Sequence, residues 1–560
     1  MTLADLGLIF QFIGGLGLFL YGMKIMADGL QKAADSKVKS LMGFLTKNRL
    51  VGVLVGAGIT AIIQSSSATT VMVVGFVNAG MLTLTQAVGV IMGANIGTTV
   101  TAWLVSLSEW GSVLKPEFLA PLVVGIGAFM LLFARSEKKI KIGEILTGFG
   151  VLFIGLTFMS DAITPYKDAP VFADAFRVLG RNPLLAVLAG AVVTAIIQSS
   201  SASVGILQTL AMNGVVNWQS AVFITLGQNI GTCVTALISS AGTGKNAKRA
   251  SIIHLMFNVI GSIWVGIVMF FFFRFQRELA ASTINSVEIS IFHTIFNVTN
   301  TVILFPFADG LVRLSKVLIP NEEKAEKAED MSISAQAARR LDHRMLNNPS
   351  LALEAAISET LFMGKLALSN LKAAMSAVME SNKETIKQVQ QTEQEINQLE
   401  TLLTTFLVEV DNLSLTEKQH LTVKNLFYTV SDIERVGDHS ENIAELAEMK
   451  RKDKIKFSEK GEKDLNKMYD AALRTLEYAM EARKTENRKT ALLALEAEEA
   501  VDGIEKELRD KHIQRLSKGK CAPESGVIFL DILSNLERIA DHADNIAGYV
   551  ATESKSVVQS

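Results

Sequence analysis

The stretch TAIIQSSSA, from Thr60 to Ala68, recurs without a change at residues 194–202, 134 positions further along the chain. A second pair of segments keeps the same offset: GANIGTTVTA begins at Gly93 and GQNIGTCVTA begins at Gly227. Two pairs of related segments at one spacing indicate an internal duplication. The duplicated segments place Gln, Ser, Thr and Asn inside apolar sequence, where polar groups cost free energy unless they bind something. The pattern therefore predicts a ligand site built from two related halves of a membrane protein.

Composition divides the chain of 560 residues into two parts. Up to about Ile319, apolar segments alternate with short loops, and all four tryptophans lie there. Beyond Pro320 the sequence is rich in Glu, Lys, Ala and Leu, which favour helices. The net charge of −2 sums both parts, so it identifies no partner, and no nucleic-acid interaction is predicted. We expect a membrane domain at residues 1–319, a linker at 320–344 and a cytoplasmic helical domain at 345–560.

The two apolar stretches that carry QSSS, at residues 51–80 and 184–215, exceed the 20 or so residues of a spanning helix and are polar in the middle. Each can form one long helix, or a re-entrant hairpin whose two short arms meet at the serines. Cytoplasmic loops are enriched in Lys and Arg. The basic clusters at 32–49, 135–141 and 245–249 all fall inside if residues 51–80 enter and return. This favours the hairpin, although a full double crossing gives the same parity.

This topology puts the N-terminus outside and the helical domain inside the cell. Trp110 and Trp218 then lie at the outer boundary, where an aromatic belt is expected. Each repeat makes three net crossings, so the repeats, at about 12–135 and 145–270, are inverted relative to each other. The predicted fold is therefore all-α: a polytopic membrane protein with two inverted repeats carrying re-entrant hairpins, followed by cytoplasmic helical bundles.

The QSSS segments carry the chemistry of an anion site. At a hairpin tip, serines present hydroxyls and free backbone N–H groups at the start of the second arm, and a helix N-terminus favours negative charge. The glutamine amide both donates and accepts hydrogen bonds. Neither segment contains Arg or Lys, so a divalent anion there needs co-bound cations. The candidate substrate and ion ligands are Gln64, Ser65, Ser66, Ser67, Gln198, Ser199, Ser200 and Ser201.

The GANIGTT and GQNIGTC segments are candidates for cation binding. Glycines beside Asn and Thr at membrane depth favour a locally unwound helix whose carbonyls coordinate an ion. The alternative is that small residues only let membrane helices pack closely. The joint duplication of Gln, three Ser and Asn favours binding. The predicted ion ligands are Asn95, Thr98, Thr99, Asn229, Thr232 and Thr235.

Two HxxFN segments place His254 with Asn258, and His293 with Asn297, on one face of a helix each. A role in proton or ion movement is one interpretation of these pairs. An interhelical hydrogen bond is the other, and it is the one we favour.

The paired QSSS segments, the GxNIGTT segments and the HxxFN repeats together resemble the type II sodium–phosphate cotransporter family over about residues 5–315. The resemblance implies a bacterial carrier in the inner (cytoplasmic) membrane that couples inorganic phosphate to sodium ions, with the QSSS regions as its sites. Alternating access of the inverted repeats is the expected mechanism. An exporter of the same fold and a membrane-tethered phosphate sensor are the alternatives. No nucleophile–base pair or nucleotide loop stands out, so we expect no enzyme.

A second duplication marks the cytoplasmic half. IERVGDHSENI at residues 433–443 matches LERIADHADNI at 536–546, 103 positions further on, within long amphipathic helices. This half resembles the PhoU family of phosphate-regulatory proteins, which have two three-helix bundles in tandem. The family's ExxxD pattern implies a metal ion on Glu434, Asp438, Glu537 and Asp541, with a polar stripe between bundles as the alternative. The expected partners are phosphate, sodium, membrane lipid, a second copy in a homodimer, and a phosphate-signalling protein.

Overall fold

The computed structural model describes residues 3–34, 48–109, 116–166, 170–320, 332–519 and 521–556. These residues form helices and no β-strand, apart from one isolated bridge between Asn217 and Thr283. The predicted all-α fold is therefore confirmed. The chain divides into two compact units, Met1–Ala325 and Glu326–Ser560. Part of the expected linker, the basic residues between 35 and 47, and Trp110 lie outside the described residues.

The first unit is a multi-pass membrane domain, because six helices in its described part are long and apolar enough to cross a bilayer. Three short 3₁₀ turns, at Leu107–Glu109, Thr164–Tyr166 and Phe305–Phe307, follow three of its helices. Its described helices are α1 (Leu3–Ala33), α2 (Arg49–Ile63), α3 (Ser66–Asn78), α4 (Leu84–Ser106), α5 (Pro116–Phe133), α6 (Glu137–Ile163), α7 (Pro170–Arg181), α8 (Pro183–Ile197), α9 (Ser200–Met212), α10 (Trp218–Gly231), α11 (Cys233–Ser239), α12 (Lys245–Phe275), α13 (Arg277–Ala281), α14 (Ser286–Leu304) and α15 (Ala308–Leu318).

Each QSSS segment separates two short helices, α2 from α3 and α8 from α9. The arms have 15 and 13 residues in both repeats. At 1.5 Å per residue an arm is about 20 Å long, shorter than the roughly 30 Å hydrocarbon core of a bilayer. Neither arm can cross alone, as expected of a re-entrant hairpin.

Glycines bring α2 against α4 in the first repeat and α8 against α10 in the second. A Cβ on Gly93 of α4 would lie 1.9 Å from the carbonyl oxygen of Val53, and a Cβ on Gly227 of α10 would lie 1.9 Å from that of Val187. Only glycine permits this separation, since a side chain would force the backbones apart. The same close helix crossing therefore occurs in both repeats, between residues that stand 134 positions apart.

The opening helices of the two repeats, α1 and α6, cross each other. A Cβ on Gly15 would lie 2.8 Å from the Gly155 oxygen, and a Cβ on Gly22 would lie 2.7 Å from the Gly148 oxygen. The early residue of one helix thus meets the late residue of the other, so the helices run antiparallel. Gly15 corresponds to Gly148 and Gly22 to Gly155 at an offset of 133, one residue less than in the later segments of the duplication. An approximate two-fold axis perpendicular to both helices therefore exchanges the two contacts.

The second unit contains two three-helix bundles, as predicted. Their helices are α17 (Pro349–Glu380), α18 (Lys383–Asp411) and α19 (Glu417–Lys452), then α20 (Glu459–Thr485), α21 (Arg488–Ser517) and α22 (Pro523–Ser556), preceded by α16 (Ile333–Arg340) and a 3₁₀ turn at His343–Asn347. The bundles meet along α19 and α22, where the rings of Tyr428 and Tyr549 lie 5.6 Å apart. One apolar core runs through both bundles.

Candidate substrate and ion site

The two QSSS segments adopt the same local structure. Gln64 and Gln198 both have a φ of 56°, in the left-handed region that ends a helix. Ser65 and Ser199 then cap the next helix, accepting a hydrogen bond from the backbone N–H three residues later at 3.1 and 3.2 Å. The break is therefore a short-range property of the sequence, a left-handed residue followed by a serine cap.

The two breaks meet inside the first unit. Ser66 Oγ lies 3.5 Å from Ser200 Oγ, and the two residues are counterparts in the duplication. A residue that contacts its own counterpart lies close to the approximate two-fold axis. Helices α3 and α9 both begin at these serines, so two helix N-termini converge, an arrangement that favours an anion. The structure thus brings together the two sets of residues that the sequence predicted.

The first glutamine is held in a buried hydrogen-bond network. Gln64 Oε1 accepts from Thr101 Oγ1 at 2.9 Å, and its amide nitrogen donates to the carbonyl of Ala61. Ser201, from the other repeat, donates to Thr101 Oγ1 at 3.4 Å. The network therefore joins both repeats. Thr101 was not predicted, although it stands at the end of the duplicated GANIGTTVTA segment.

The predicted unwinding of the GxNIGT segments is wrong for the first repeat, because α4 continues without a break from Leu84 to Ser106. The polar side chains bond to carbonyls of their own helix: Asn95 to Ile91 at 2.8 Å, Thr98 to Ala94 at 3.2 Å and Thr99 to Ile96 at 2.8 Å. These bonds satisfy the side chains without opening the helix. The glycines serve the close crossing with α2, the alternative that the sequence left open.

In the second repeat the helix is interrupted at Thr232, between α10 and α11. Thr232 still donates to the carbonyl of Gln228 at 2.9 Å, so the interruption is slight. The hydroxyl of Thr235, one turn further on, is buried without a partner among the described residues. The predicted ion ligands of the first repeat, Asn95, Thr98 and Thr99, therefore all lie on α4. Those of the second repeat lie on α10 (Asn229), at the interruption (Thr232) and on α11 (Thr235).

Asn229 is the centre of a contact between α10 and α14. Its Oδ1 lies 3.4 Å from His293 Nε2 and accepts from Asn297 Nδ2 at 3.3 Å. The second HxxFN segment thus forms the interhelical hydrogen bonds that the sequence favoured. In the first segment, Asn258 donates to Cys233 Sγ, but neither ring nitrogen of the buried His254 has a partner among the described residues.

Gln228 is a buried residue of the site that sequence reasoning missed. Its amide nitrogen donates to the carbonyl and to the hydroxyl of Ser203, both at 2.9 Å, and so ties α10 to the helix that follows the second break. Thr194 donates to the same hydroxyl at 2.8 Å. The signal was present in the sequence, because Gln228 in place of Ala94 is one of only two differences between the duplicated segments.

The second bundle of the second unit contains three carboxylates whose oxygens lie within 4.8 Å of one another: Glu498, Asp502 and Asp541. Burial, with the neighbouring Asp502, raises the pKa of Glu498 to about 7. Glu537 has its pKa raised by burial and by Asp541. Oxygen donors alone suit a hard divalent cation, so the residues fit the metal that the family pattern implies. Of the predicted ligands, Asp541 belongs to the cluster and Glu537 lies beside it.

The first bundle repeats this arrangement with one difference. Glu393 of α18 has its pKa raised to about 7 by burial and by Glu441 and Asp438, and burial and Asp438 raise the pKa of Glu434. Where the second bundle has Asp502, the first has Asn397, which donates to Glu393. The predicted residues Glu434 and Asp438 therefore lie in an acidic cluster with one carboxylate fewer.

The residues that join these clusters from α18 and α21 were missed by the sequence reasoning. Their signal is a third pattern, ExxxNxxE at residues 393–400 and ExxxDxxE at 498–505. Its offset of 105 differs from the 103 of the matched segments, because Glu393 precedes Glu434 by 41 residues whereas Glu498 precedes Glu537 by 39.

Sequence comparison places these observations in a family. The profile described as Na+/Pi-cotransporter matches residues 18–161 and 169–292, the two repeats of the first unit. The protein YqeW of Bacillus subtilis, called uncharacterized, is 32% identical over 305 residues, which cover 54% of this chain and 95% of that protein. The chain belongs to the Na+/Pi-cotransporter family. The PhoU domain profile matches residues 360–447 and 465–550, one match in each bundle, so this family member also carries two PhoU domains.

Two further proteins are similar to this cotransporter-family chain. The Escherichia coli protein named "Putative inorganic phosphate export protein YjbB" is 23% identical over 534 residues, 95% of each chain. A crystal structure of PhoU from Pseudomonas aeruginosa matches with a TM-score of 0.35 at 22% identity, covering 36% of this chain and 97% of that one. The E. coli relative therefore extends over both units.

Proposed function

We propose that the protein moves inorganic phosphate together with sodium ions across the cytoplasmic membrane by alternating access. The observation that carries the proposal is the meeting of the two QSSS breaks at Ser66 and Ser200, where two helix N-termini and a set of hydroxyls and amides converge. Membership of the Na+/Pi-cotransporter family supports phosphate as the substrate. Transport rather than catalysis is the activity that this arrangement serves.

The donor set of the site supports an oxyanion. Backbone N–H groups at the start of α3 and α9, with the serine hydroxyls, offer donors to a tetrahedral anion from two directions. No Lys or Arg stands within either QSSS segment to neutralise it. Two negative charges at this depth would then rely on the helix dipoles and on co-bound cations.

Sodium coupling follows from the same charge argument. A sodium ion prefers oxygen ligands, and carbonyls, hydroxyls and amide oxygens surround the breaks. A cation bound beside the anion lowers the cost of burying both in the membrane. We assign this role to the oxygens of the Gln64, Ser65, Gln198 and Ser199 region and to the neighbouring Asn and Thr side chains.

The mechanism rests on inverted repeats. The approximate axis that exchanges α1 and α6 is perpendicular to both helices, and long apolar helices run across the membrane. Such an axis lies in the membrane plane, which gives the two repeats opposite orientations. Exchange of conformation between the repeats then opens the site to one side or the other.

Export is the second candidate for net direction. The E. coli relative that covers 95% of this chain is named as a phosphate export protein. The fold is compatible with either direction, since the gradients and the regulation of a carrier set its net flux. We propose that the cytoplasmic PhoU domains regulate the carrier through their acidic clusters, with a hard divalent cation held by Glu498, Asp502 and Asp541.

The test is flux of labelled phosphate in proteoliposomes of the full-length protein. We expect uptake to rise when sodium is imposed outside, and to stay at the level of empty liposomes when potassium replaces it. Equal uptake with both cations would reject the coupling but keep phosphate transport. Phosphate binding without flux under any gradient would reject transport and favour a sensor.

A further inference from the structure

Three positions of the site carry the same residue types in both repeats but form different hydrogen bonds. The first group is Gln64, Thr101 and Ser201, which are 6%, 2% and 7% exposed. Thr101 donates to Gln64 and Ser201 donates to Thr101. We call this group the closed triad; it takes two residues from the first repeat and one from the second.

The approximate two-fold axis relates the closed triad to Gln198, Thr235 and Ser67, which we call the open triad. Each of its members stands at an offset of 134 from a member of the closed triad. Gln198 is exposed, and Thr235 and Ser67 are half-buried. None of the three forms a side-chain hydrogen bond with another, and the Thr235 hydroxyl has no partner among the described residues.

The backbone differs at the same place. Thr101 lies in the continuous helix α4, whereas Thr235 lies in α11, beyond the interruption at Thr232. Gln64 and Gln198 share the same left-handed backbone, so the break itself does not cause the difference. The difference lies in whether the helix bearing the threonine reaches the glutamine of its own repeat.

We infer that these two triads are alternating locks, so that Gln64–Thr101–Ser201 closes one side of the site while Gln198–Thr235–Ser67 opens the other. This inference rests on the proposed transport function. The triad positions carry the same residue types in both repeats. Inverted repeats of this kind can adopt two related asymmetric arrangements, in which the open and closed roles are exchanged. The described structure is one of them, and in the other Thr235 would donate to Gln198 and Thr101 would release Gln64.

The threonines act as positioning residues in this scheme, because each holds the glutamine of its repeat and neither has to contact phosphate. Removing the Thr101 hydroxyl weakens the arrangement seen in the structure, and removing the Thr235 hydroxyl weakens the other arrangement. The two substitutions should therefore shift the equilibrium in opposite directions. A merely structural role for the two threonines would produce no such reciprocity.

The experiment measures thiol labelling in full-length protein in proteoliposomes. The native cysteines are replaced by Cys233→Thr, which copies Thr99 of the first repeat, and by Cys521→Ser. A single reporter is then introduced as Ser201→Cys in the closed triad or Ser67→Cys in the open triad. We expect the reporter at position 67 to react with a small maleimide and the one at position 201 to be protected.

Thr101→Val should raise the labelling rate at position 201 and lower it at position 67, and Thr235→Val should do the reverse. Loss of one buried hydrogen bond corresponds to a change of about threefold to tenfold. Thr101→Ser keeps the hydroxyl and should restore protection, which guards against a variant that folds poorly. Unchanged rates, or a rise at both positions in both variants, would overturn the inference.

Phosphate flux of the unsubstituted protein, measured in parallel vesicles with Ser67, Ser201 and both threonines intact, separates the two proposals. Phosphate flux by the native protein, with no reciprocal shift in labelling, would reject the alternating locks but leave the proposed transport function intact. Reciprocal shifts in labelling without any phosphate flux would reject the proposed transport function. The exchange between two arrangements would then be a property of a phosphate sensor.

Discussion

Substitutions at Gln198 can test the backbone conformation of the helix break separately from the role of the side-chain amide. Gln198 has no side-chain hydrogen bond among the described residues, and its φ of 56° is one that glycine adopts without strain. We predict that Gln198→Gly leaves the free energy of unfolding unchanged or raises it by up to about 1 kcal/mol. Gln198→Val should lower it by about 1–2 kcal/mol, because a β-branched residue is strained there.

Thermal unfolding of the two variants in detergent checks this prediction. Both lack the amide, so both should lose phosphate transport although only the valine variant loses stability. A glycine variant that unfolds as early as the valine variant would show that the amide, and not the backbone, holds the break.

The buried ion pair between Arg483 and Glu553 stabilises the second bundle at the scale of single residues. Arg483 is 1% exposed, and its two terminal nitrogens donate to the two carboxylate oxygens of Glu553 at 2.7 and 2.8 Å. We predict that Arg483→Ala lowers the free energy of unfolding by about 3 kcal/mol, since it removes the arginine charge that faces a buried carboxylate.

The matched control is Lys372→Ala, which breaks an exposed pair with Glu477 at 3.0 Å and should cost less than about 1 kcal/mol. Hydrogen exchange of α20 and α22 in the full-length protein measures both effects locally. Equal protection in the two variants would contradict the account of the buried pair.

At the scale of secondary-structure elements, glycines determine how closely pairs of helices pack. Gly93 leaves no room for a Cβ at the crossing of α2 and α4, whereas a Cβ on Gly125 of α5 would meet nothing within 4 Å. We predict that Gly93→Ala lowers the free energy of unfolding by about 1–3 kcal/mol, as overpacking of a close contact does, and that Gly125→Ala has no such cost. The melting temperatures of the two variants in detergent measure the difference.

Gly227→Ala should behave like Gly93→Ala, because Gly227 makes the same contact in the second repeat. A variant at Gly93 that is as stable as the one at Gly125 would mean that the crossing is not close-packed. Unequal effects at Gly93 and Gly227 would mean that the repeats are not equivalent at this crossing.

Structural features that depend only on residues close together in the chain could be predicted from the sequence. The QSSS breaks follow from a capping serine after a left-handed glutamine, and the long helices of the second unit follow from amphipathic patterning. The unwinding of the GxNIGT segments could not be judged in this way, since glycine serves both a flexible helix and a close crossing. Only the structure, in which a Cβ on Gly93 would collide with the Val53 carbonyl oxygen, shows that the glycine serves the close crossing.

The residues of the site that the sequence missed act through distant partners. Thr101 reaches Gln64, and Gln228 reaches Ser203, across helices whose packing no local pattern specifies. Glu498 and Asp502 reach Asp541 in the same way, from a different helix of the bundle. A comparison of each of these residues with its counterpart in the other repeat or bundle could have identified them as candidates, because all of them lie in duplicated segments.

At the scale of the whole second unit, the acidic clusters make stability depend on pH. The pKa of Glu498 and that of Glu393 are both raised to about 7 by burial from an ordinary value of 4.5. Between about pH 5 and 7 the folded bundles retain protons that the unfolded chain has released. These groups therefore stabilise the metal-free fold at low pH, and their contribution is lost as the pH rises through 7.

We predict that Glu498→Gln makes the metal-free unit less dependent on pH in this window and removes the stabilisation that a divalent cation such as Mn²⁺ gives at pH 8. Cations compete with these protons, so the native protein should gain more from Mn²⁺ at pH 8 than at pH 6. Unfolding midpoints with Mn²⁺ and with chelator measure both effects. A Glu498→Gln variant that still gains the native stabilisation from Mn²⁺ would contradict the assignment of the ligands.

The central claim concerns the whole membrane unit: both repeats build one phosphate site where the two QSSS breaks meet. The most direct measurement is the rate of labelled phosphate exchange in proteoliposomes for Gln64→Ala and Gln198→Ala, with the exposed Gln276→Ala as the control. We predict that each of the first two variants loses at least about tenfold, the loss of one amide contact at a shared site, and that the control keeps the native rate. Native exchange in either glutamine variant would contradict a site shared by the two repeats.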